Sequence, residues 1–177
     1  SWYILDDTKT ETFLASNYSF IGKINGHYYH NVWVNNESTE IHVFDGASWR
    51  RGGQQAPNGA VSDSFTLIGQ IGDHAYHYLR DQHGVRTLYA FDGVEWHVVA
   101  NQPPPNQILG RDFCFGPYGG QLYCDLTDDT QVTTLYAFDG ITWTEILDRP
   151  TPNQLYISQC IGEVNGLYYC ELDDTLY

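Results

Sequence analysis

The sequence predicts an all-β chain: a four-bladed β-propeller of repeats about 47 residues long, its last blade closed by the N-terminal strand. Three observations predict this. The phrase "TLYAFDG" stands at 87–93 and again at 134–140, with a cousin "EIHVFDG" at 40–46, and Trp49, Trp96 and Trp143 each follow the glycine of that phrase by three residues. Self-similarity at a period of about 20 to 50 residues marks a solenoid, a propeller or an array. Apolar residues alternate with period two in "HYYHNVWV", "HAYHYL" and "LYYCEL", and no long stretch has helical spacing. The two ends also complement each other. "ELDDTLY" stops at the point equivalent to Tyr136, whereas the opening "SWYILDDTKTETFLASNYSF" matches "TWTEILDRPTPNQLYISQC". A first strand that completes the last sheet closes a ring and removes two exposed edges.

Each repeat justifies four strands in order. The first ends near an apolar-glycine step, at Ile21-Gly22, Ile68-Gly69, Phe115-Gly116 and Ile161-Gly162. A turn dipeptide follows, Asn25-Gly26, Gly72-Asp73, Gly119-Gly120 or Asn165-Gly166, of the residue types that tolerate positive φ in a tight hairpin. The second strand leads to a polar tip such as "NNESTE", "DQHGVR" or "DDTQVT". The third carries the repeated phrase, and its Asp-Gly turns the chain into a short fourth strand bearing the tryptophan. The repeats run about 21–67, 68–114, 115–160, and 161–177 together with 1–20, within a single domain spanning 1–177.

Composition narrows the function. The chain has 177 residues, enough for one well-buried core, and 15% of them are aromatic. Eight Lys and Arg against 22 Asp and Glu leave a net charge of −14, which repels nucleic-acid phosphates and acidic membrane surfaces. No apolar run is long enough for a membrane span. Two glycosylation sequons, Asn17-Tyr18-Ser19 and Asn36-Glu37-Ser38, together with paired cysteines, point to a secreted, extracellular glycoprotein. No G-x-S-x-G, H-E-x-x-H or phosphate-cradling glycine loop is present, so an enzyme is not expected.

The pattern "LYAFDG..W", with a glycine-containing turn ahead of an "LY" strand, resembles the kelch and galactose-oxidase-like propeller repeat over the whole chain. The blade count is similar to that of hemopexin domains, whose sequence pattern is absent. The resemblance implies the propeller fold and no particular activity, because propellers host many unrelated functions.

Four groups of residues are candidates for chemistry. Trp2, Trp49, Trp96 and Trp143 offer flat rings for stacking on a sugar or, alternatively, wedge between neighbouring sheets, while Trp33 falls outside the series. The connectors "RRGGQQAPNGAVSD", "ANQPPPNQILGRD" and "DRPTPNQLYISQ" bring Asn58, Asn106 and Asn153, with Gln55, Gln107 and Gln154 nearby, whose amides suit neutral hydroxyls or simply cap turns. Asp45, Asp92 and Asp139 belong to the Asp-Gly turns, and acidic tips such as Asp128-Asp129 and Asp173-Asp174 read as solvated loop ends. The cysteines form two pairs ten residues apart, Cys114/Cys124 and Cys160/Cys170, where the first two repeats hold Phe20/His30 and Leu67/His77. A disulfide across each hairpin needs a turn of the bulged, odd-count form, because a strict two-residue turn would set the two side chains on opposite faces. The rival is a zinc site formed by His30, His77, Cys124 and Cys170.

The expected function is a lectin-like propeller that binds neutral glycans or glycoproteins at repeated inter-blade sites, without a cofactor. Two alternatives accompany it: a carrier of zinc, a pigment or a small hydrophobic ligand in the central channel, with His30, His77, Tyr29 and Tyr76 as its contacts, and a protein-interaction scaffold. The composition is compatible with a homo-oligomer.

Overall fold

The computed structural model describes residues 18–34, 38–57, 66–104, 107–108, 114–128, 130 and 132–146, and gives strand pairing for 157–164, 167–172 and 175–176. All regular structure among these residues is strand, and every pairing is antiparallel. The first sheet runs in order through β1 (Tyr18–Ile24), β2 (His27–Val34), β3 (Ser38–Phe44) and β4 (Trp49–Arg51). The second repeats it with β5 (Thr66–Ile71), β6 (His74–Arg80), β7 (Arg86–Phe91) and β8 (Trp96–Val98). The third sheet has five strands: β10 (Cys114–Tyr118), β11 (Gln121–Asp128), β12 (Thr133–Phe138) and β13 (Trp143–Glu145) in that order, with the two-residue β9 (Gln107–Ile108) paired to the end of β11. The fourth shows β14 (Ile157–Val164), β15 (Leu167–Leu172) and β16 (Thr175–Leu176). The N-terminal strand expected to complete it lies in 1–17, outside the described residues. The chain groups into two compact units, 1–102 and 103–177.

The turn chemistry fixes the registers. Asn25 and Gly26 adopt φ of 50° and 79°, so β1 and β2 meet through a two-residue turn with Ile24 opposite His27. Counting outward from that turn would pair Ile21 with His30. The observed partner of His30 is Phe20, because Ile21 is the extra residue of a β-bulge between Phe20 and Gly22. The slip recurs in every sheet: Leu67 faces His77, Cys114 faces Cys124, and Cys160 faces Cys170.

That one-residue slip is the bulged geometry a cross-hairpin disulfide requires, and Cys114 and Cys124 are bonded. The backbone of Cys160 and Cys170 repeats the pairing. Closing so short a loop stabilises the folded state by about 3 kcal/mol in the chain-entropy picture. Replacing Cys114 and Cys124 together by Ser is therefore expected to lower the urea midpoint of unfolding by the equivalent of roughly 2–3 kcal/mol. An unchanged midpoint would show that the strand pairing holds the hairpin without the bond.

In the first unit, the core lies between the first two sheets. Ile21, Ile24 and Ile41 of the first pack against Ala75, Leu79, Phe91 and Trp96 of the second, with Tyr29, Ala56 and Tyr89 at the border. Burying each large side chain is worth about 1.5–3 kcal/mol. The backbones approach so closely that a Cβ on Gly22 would sit 2.7 Å from the Cβ of Ala75. Polar groups seal the same seam. The Ile21 carbonyl accepts a 2.7 Å hydrogen bond from Nε2 of the wholly buried His77. The Gln70 amide clamps β1 by accepting from the Lys23 N–H and donating to the Lys23 carbonyl. In the second unit, Leu122, Cys124, Leu126, Ala137 and Phe138 are the buried apolar residues of the third sheet.

Candidate functional site

The tryptophans of the repeat occupy one structural position and three environments. Each lies on the first residue of a fourth strand, opposite the phenylalanine of the repeated phrase: Trp49 with Phe44, Trp96 with Phe91, Trp143 with Phe138. The ring pairs stand 5.1, 4.8 and 4.4 Å apart, so each indole is backed by a second aromatic. The second-strand residue adds an edge contact, His30 to Trp49 at 5.3 Å and His77 to Trp96 at 5.5 Å.

Exposure then separates them. Trp96 is only 8% exposed. Its indole N–H donates to the Gln54 carbonyl at 3.2 Å, so the connector of the first repeat closes over the ring of the second. Trp96 thus presents no face to a ligand. Trp49 and Trp143 keep part of their rings open. Trp2, Asn58, Asn106, Asn153 and Gln154 lie outside the described residues, as do the side chains of Trp33 and Gln107.

One connector amide, that of Gln102, serves the chain itself. Gln102, in register with Gln55, accepts from the Leu88 N–H at 2.7 Å and donates to the Leu88 carbonyl at 3.1 Å and the Val99 carbonyl at 2.6 Å. It extends the sheet past the end of β8, which the side chain does by imitating a strand.

The aspartates of the repeated phrase are turn braces. One carboxylate oxygen of Asp45 accepts from the Ala47 and Ser48 N–H groups, that of Asp92 from Val94 and Glu95, and that of Asp139 from Ile141 and Thr142. The N–H groups of Ser48 and Ala47 hold Asp45 below the ordinary carboxylate range, and those of Thr142 and Ile141 do so for Asp139. At Asp92 partial burial would raise the pKa, but the Glu95 and Val94 N–H groups and the ion pair with His97 at 3.0 Å outweigh it and bring it down to about 2.

A second aspartate series escaped the sequence reading. Asp81 accepts from the His83 and Val85 N–H groups, and Asp128 from those of Thr130 and Val132 and from the Thr130 hydroxyl. Asp128, expected to be a solvated tip, instead ties its hairpin. The signal was available: Asp81 and Asp128 stand in register and each has a valine four residues on.

His77 and His30, the two histidines of the postulated zinc ring, are packed against other groups of the fold. His77 is wholly buried, and burial pushes its pKa down to about 4, partly opposed by the bond to Ile21. His30 sits between the rings of Phe20 and Trp49, each 5.3 Å away, and burial lowers its pKa too. Cys124, the third member of the postulated zinc ring, is bonded to Cys114 and so has no thiolate to offer a metal. Among the described residues no group of three or more His, Cys, Asp or Glu is arranged to hold a metal ion.

A cluster peculiar to the first repeat lies beside Trp49. Glu40 holds Arg51 at 3.2 Å through one oxygen and His42 at 3.4 Å through the other. His42 and Arg51 are direct partners across β3 and β4, and Arg51 lies two residues after Trp49 on the same face. No protein-family model, curated protein or solved structure matches the chain.

Proposed function

We propose that the chain is a four-bladed propeller secreted as a lectin-like module, binding saccharides where the tryptophan of one repeat meets the connector of its neighbour. The observation that carries this reading is the contact of Trp96 with Gln54. It sets an aromatic platform and a polar connector from adjacent repeats against each other, the two elements a pyranose needs for stacking and for its hydroxyls. At Trp96 the connector fills the space itself. At Trp49 and Trp143 the indole is partly exposed and backed by its phenylalanine, which supports a stacking role there.

Two further features support the wider proposal. Three sheets share one order of four strands and a register shift in the first hairpin, as blades do, and a fourth carries three strands of the same order. Residues 1–17 would supply its missing outer strand. The disulfide is compatible with an extracellular protein, where such bonds persist.

A glycan array tests the function, and titration with a hit tests the site. Trp143→Ala is expected to weaken binding of that saccharide about tenfold or more while the protein stays folded. Trp96→Ala is expected to reduce stability instead, since it empties a core position. An array without hits, or hits indifferent to Trp49 and Trp143, would overturn the lectin reading.

A further inference from the structure

The two open tryptophans differ in the charge beside them. Two residues after each on the fourth strand stand Arg51 in the first repeat and Glu145 in the third, with Val98 at the corresponding place in the second. That position points outward: Val98 is 59% exposed even though the first and second sheets pack together. Arg51 is likewise largely open, its side chain 68% exposed. A guanidinium offers five donors in a planar fork, of which the Glu40 contact at 3.2 Å engages only part. Glu40 also bridges to His42, so the carboxylate that steadies Arg51 is itself anchored. The repeats elsewhere replace this trio: Glu40 becomes Thr87 and Thr134, and His42 becomes Tyr89 and Tyr136. A sequence that keeps its scaffold residues in register while exchanging these marks the place where the copies diverged in use.

Resting on the lectin reading above, we propose that the first-repeat site selects saccharides bearing a carboxylate, as uronic acids do, with Arg51 as the specificity-determining residue, whereas the third-repeat site, with Glu145, takes neutral ones. The sugar ring stacks on Trp49 and its carboxylate meets the outward edge of the Arg51 fork in a bidentate pair. At the third repeat the same carboxylate would face Glu145 and be repelled. The net charge of −14 opposes an anion at long range and Glu40 opposes it nearby, so the remaining donors of the Arg51 fork carry the selection through a bidentate pair.

The test uses two probes of one backbone: oligogalacturonate and its fully methyl-esterified, neutral form. Nitrogen-15 labelled protein reports each indole N–H separately. The acid is expected to shift the Trp49 signal and leave Trp143 in place, and the ester to shift Trp143. Arg51→Glu is expected to weaken acid binding at Trp49 at least tenfold, whereas Arg51→Lys retains part of it and the Trp143 response is unchanged in both. Equal response of Trp49 to acid and ester, or a full acid response in Arg51→Glu, would overturn the assignment while leaving the lectin reading intact. Silence of both indoles toward both probes would overturn the assignment of this ligand class. The glycan array then decides the broader reading separately.

Discussion

Lowering the pH from 6.5 to 4 is expected to cost the folded protein about 3 kcal/mol through His77 alone. In the unfolded chain this imidazole titrates near 6.5, and in the fold burial holds its pKa down at about 4. Because the folded-state pKa is the lower one, the unfolded state binds more protons throughout that window. The stability contribution is complete above 6.5 and is lost as the pH falls toward 4. The shift of about 2.5 pH units, at 1.36 kcal/mol each, gives the figure. His30, lowered by the same cause, adds in the same direction. The aspartate braces have depressed folded-state pKa values, so their contribution falls away at more acid pH, below the ordinary carboxylate range. The two windows can therefore be separated by urea unfolding at stepped pH. The decisive variant is His77→Gln, which keeps a donor for the Ile21 carbonyl and does not titrate. It should flatten the curve between 6.5 and 4 and leave the acid limb unchanged. A wild-type curve already flat there would mean that His77 is hydrated in solution.

The second large effect is expected at Gly22. A Cβ there would lie 2.7 Å from the Cβ of Ala75, and both atoms are fixed to strand backbones, so neither can rotate away. Relief requires the first two sheets to move apart, which loosens the packing of Ile21, Ile24 and Phe91 and lengthens the His77 bond across the seam. Gly22→Ala is expected to destabilise by roughly 3 kcal/mol, at the upper end of overpacking costs. Gly26→Ala is a suitable comparison. It has positive φ but nothing within 4 Å, so its cost should be about 1 kcal/mol from backbone strain alone. If the two variants unfold at the same midpoint, the seam is not close-packed in solution.

Much of the strand grammar was legible in the sequence because it is local. The alternation in "TLYAF" and the Asp-Gly after it specify β7 and β12 and the turns into β8 and β13. The joint gain and loss of cysteines located the pair Cys114–Cys124, but the odd count comes from a register shift in the strand between Phe115 and Tyr118, while the turn expected to supply it holds two residues. What the sequence concealed depends on partners far along the chain. His77 finds Ile21 across 56 residues, and Trp96 finds Gln54 across 42. Neither distance leaves a trace in spacing. A buried ring and a partly exposed one therefore carry the same motif, as Trp96 and its counterparts Trp49 and Trp143 do. Gln102 shows the same limit: its hydrogen-bonding capacity is visible in the sequence, while the Leu88 backbone that uses it is not.

The edge strands β4, β8 and β13 each contain three residues. A foreign polypeptide seeking to add itself to such a margin finds too few free amides to hold in register. At β7, the stretch that β8 leaves uncovered is already occupied by the Gln102 amide. Chains rich in β-structure are prone to assemble side by side into fibrils when their borders are long and flat. Here the β4, β8 and β13 edges are clipped, and that of β7 is plugged as well, so strand addition is disfavoured at this side of each of the three sheets.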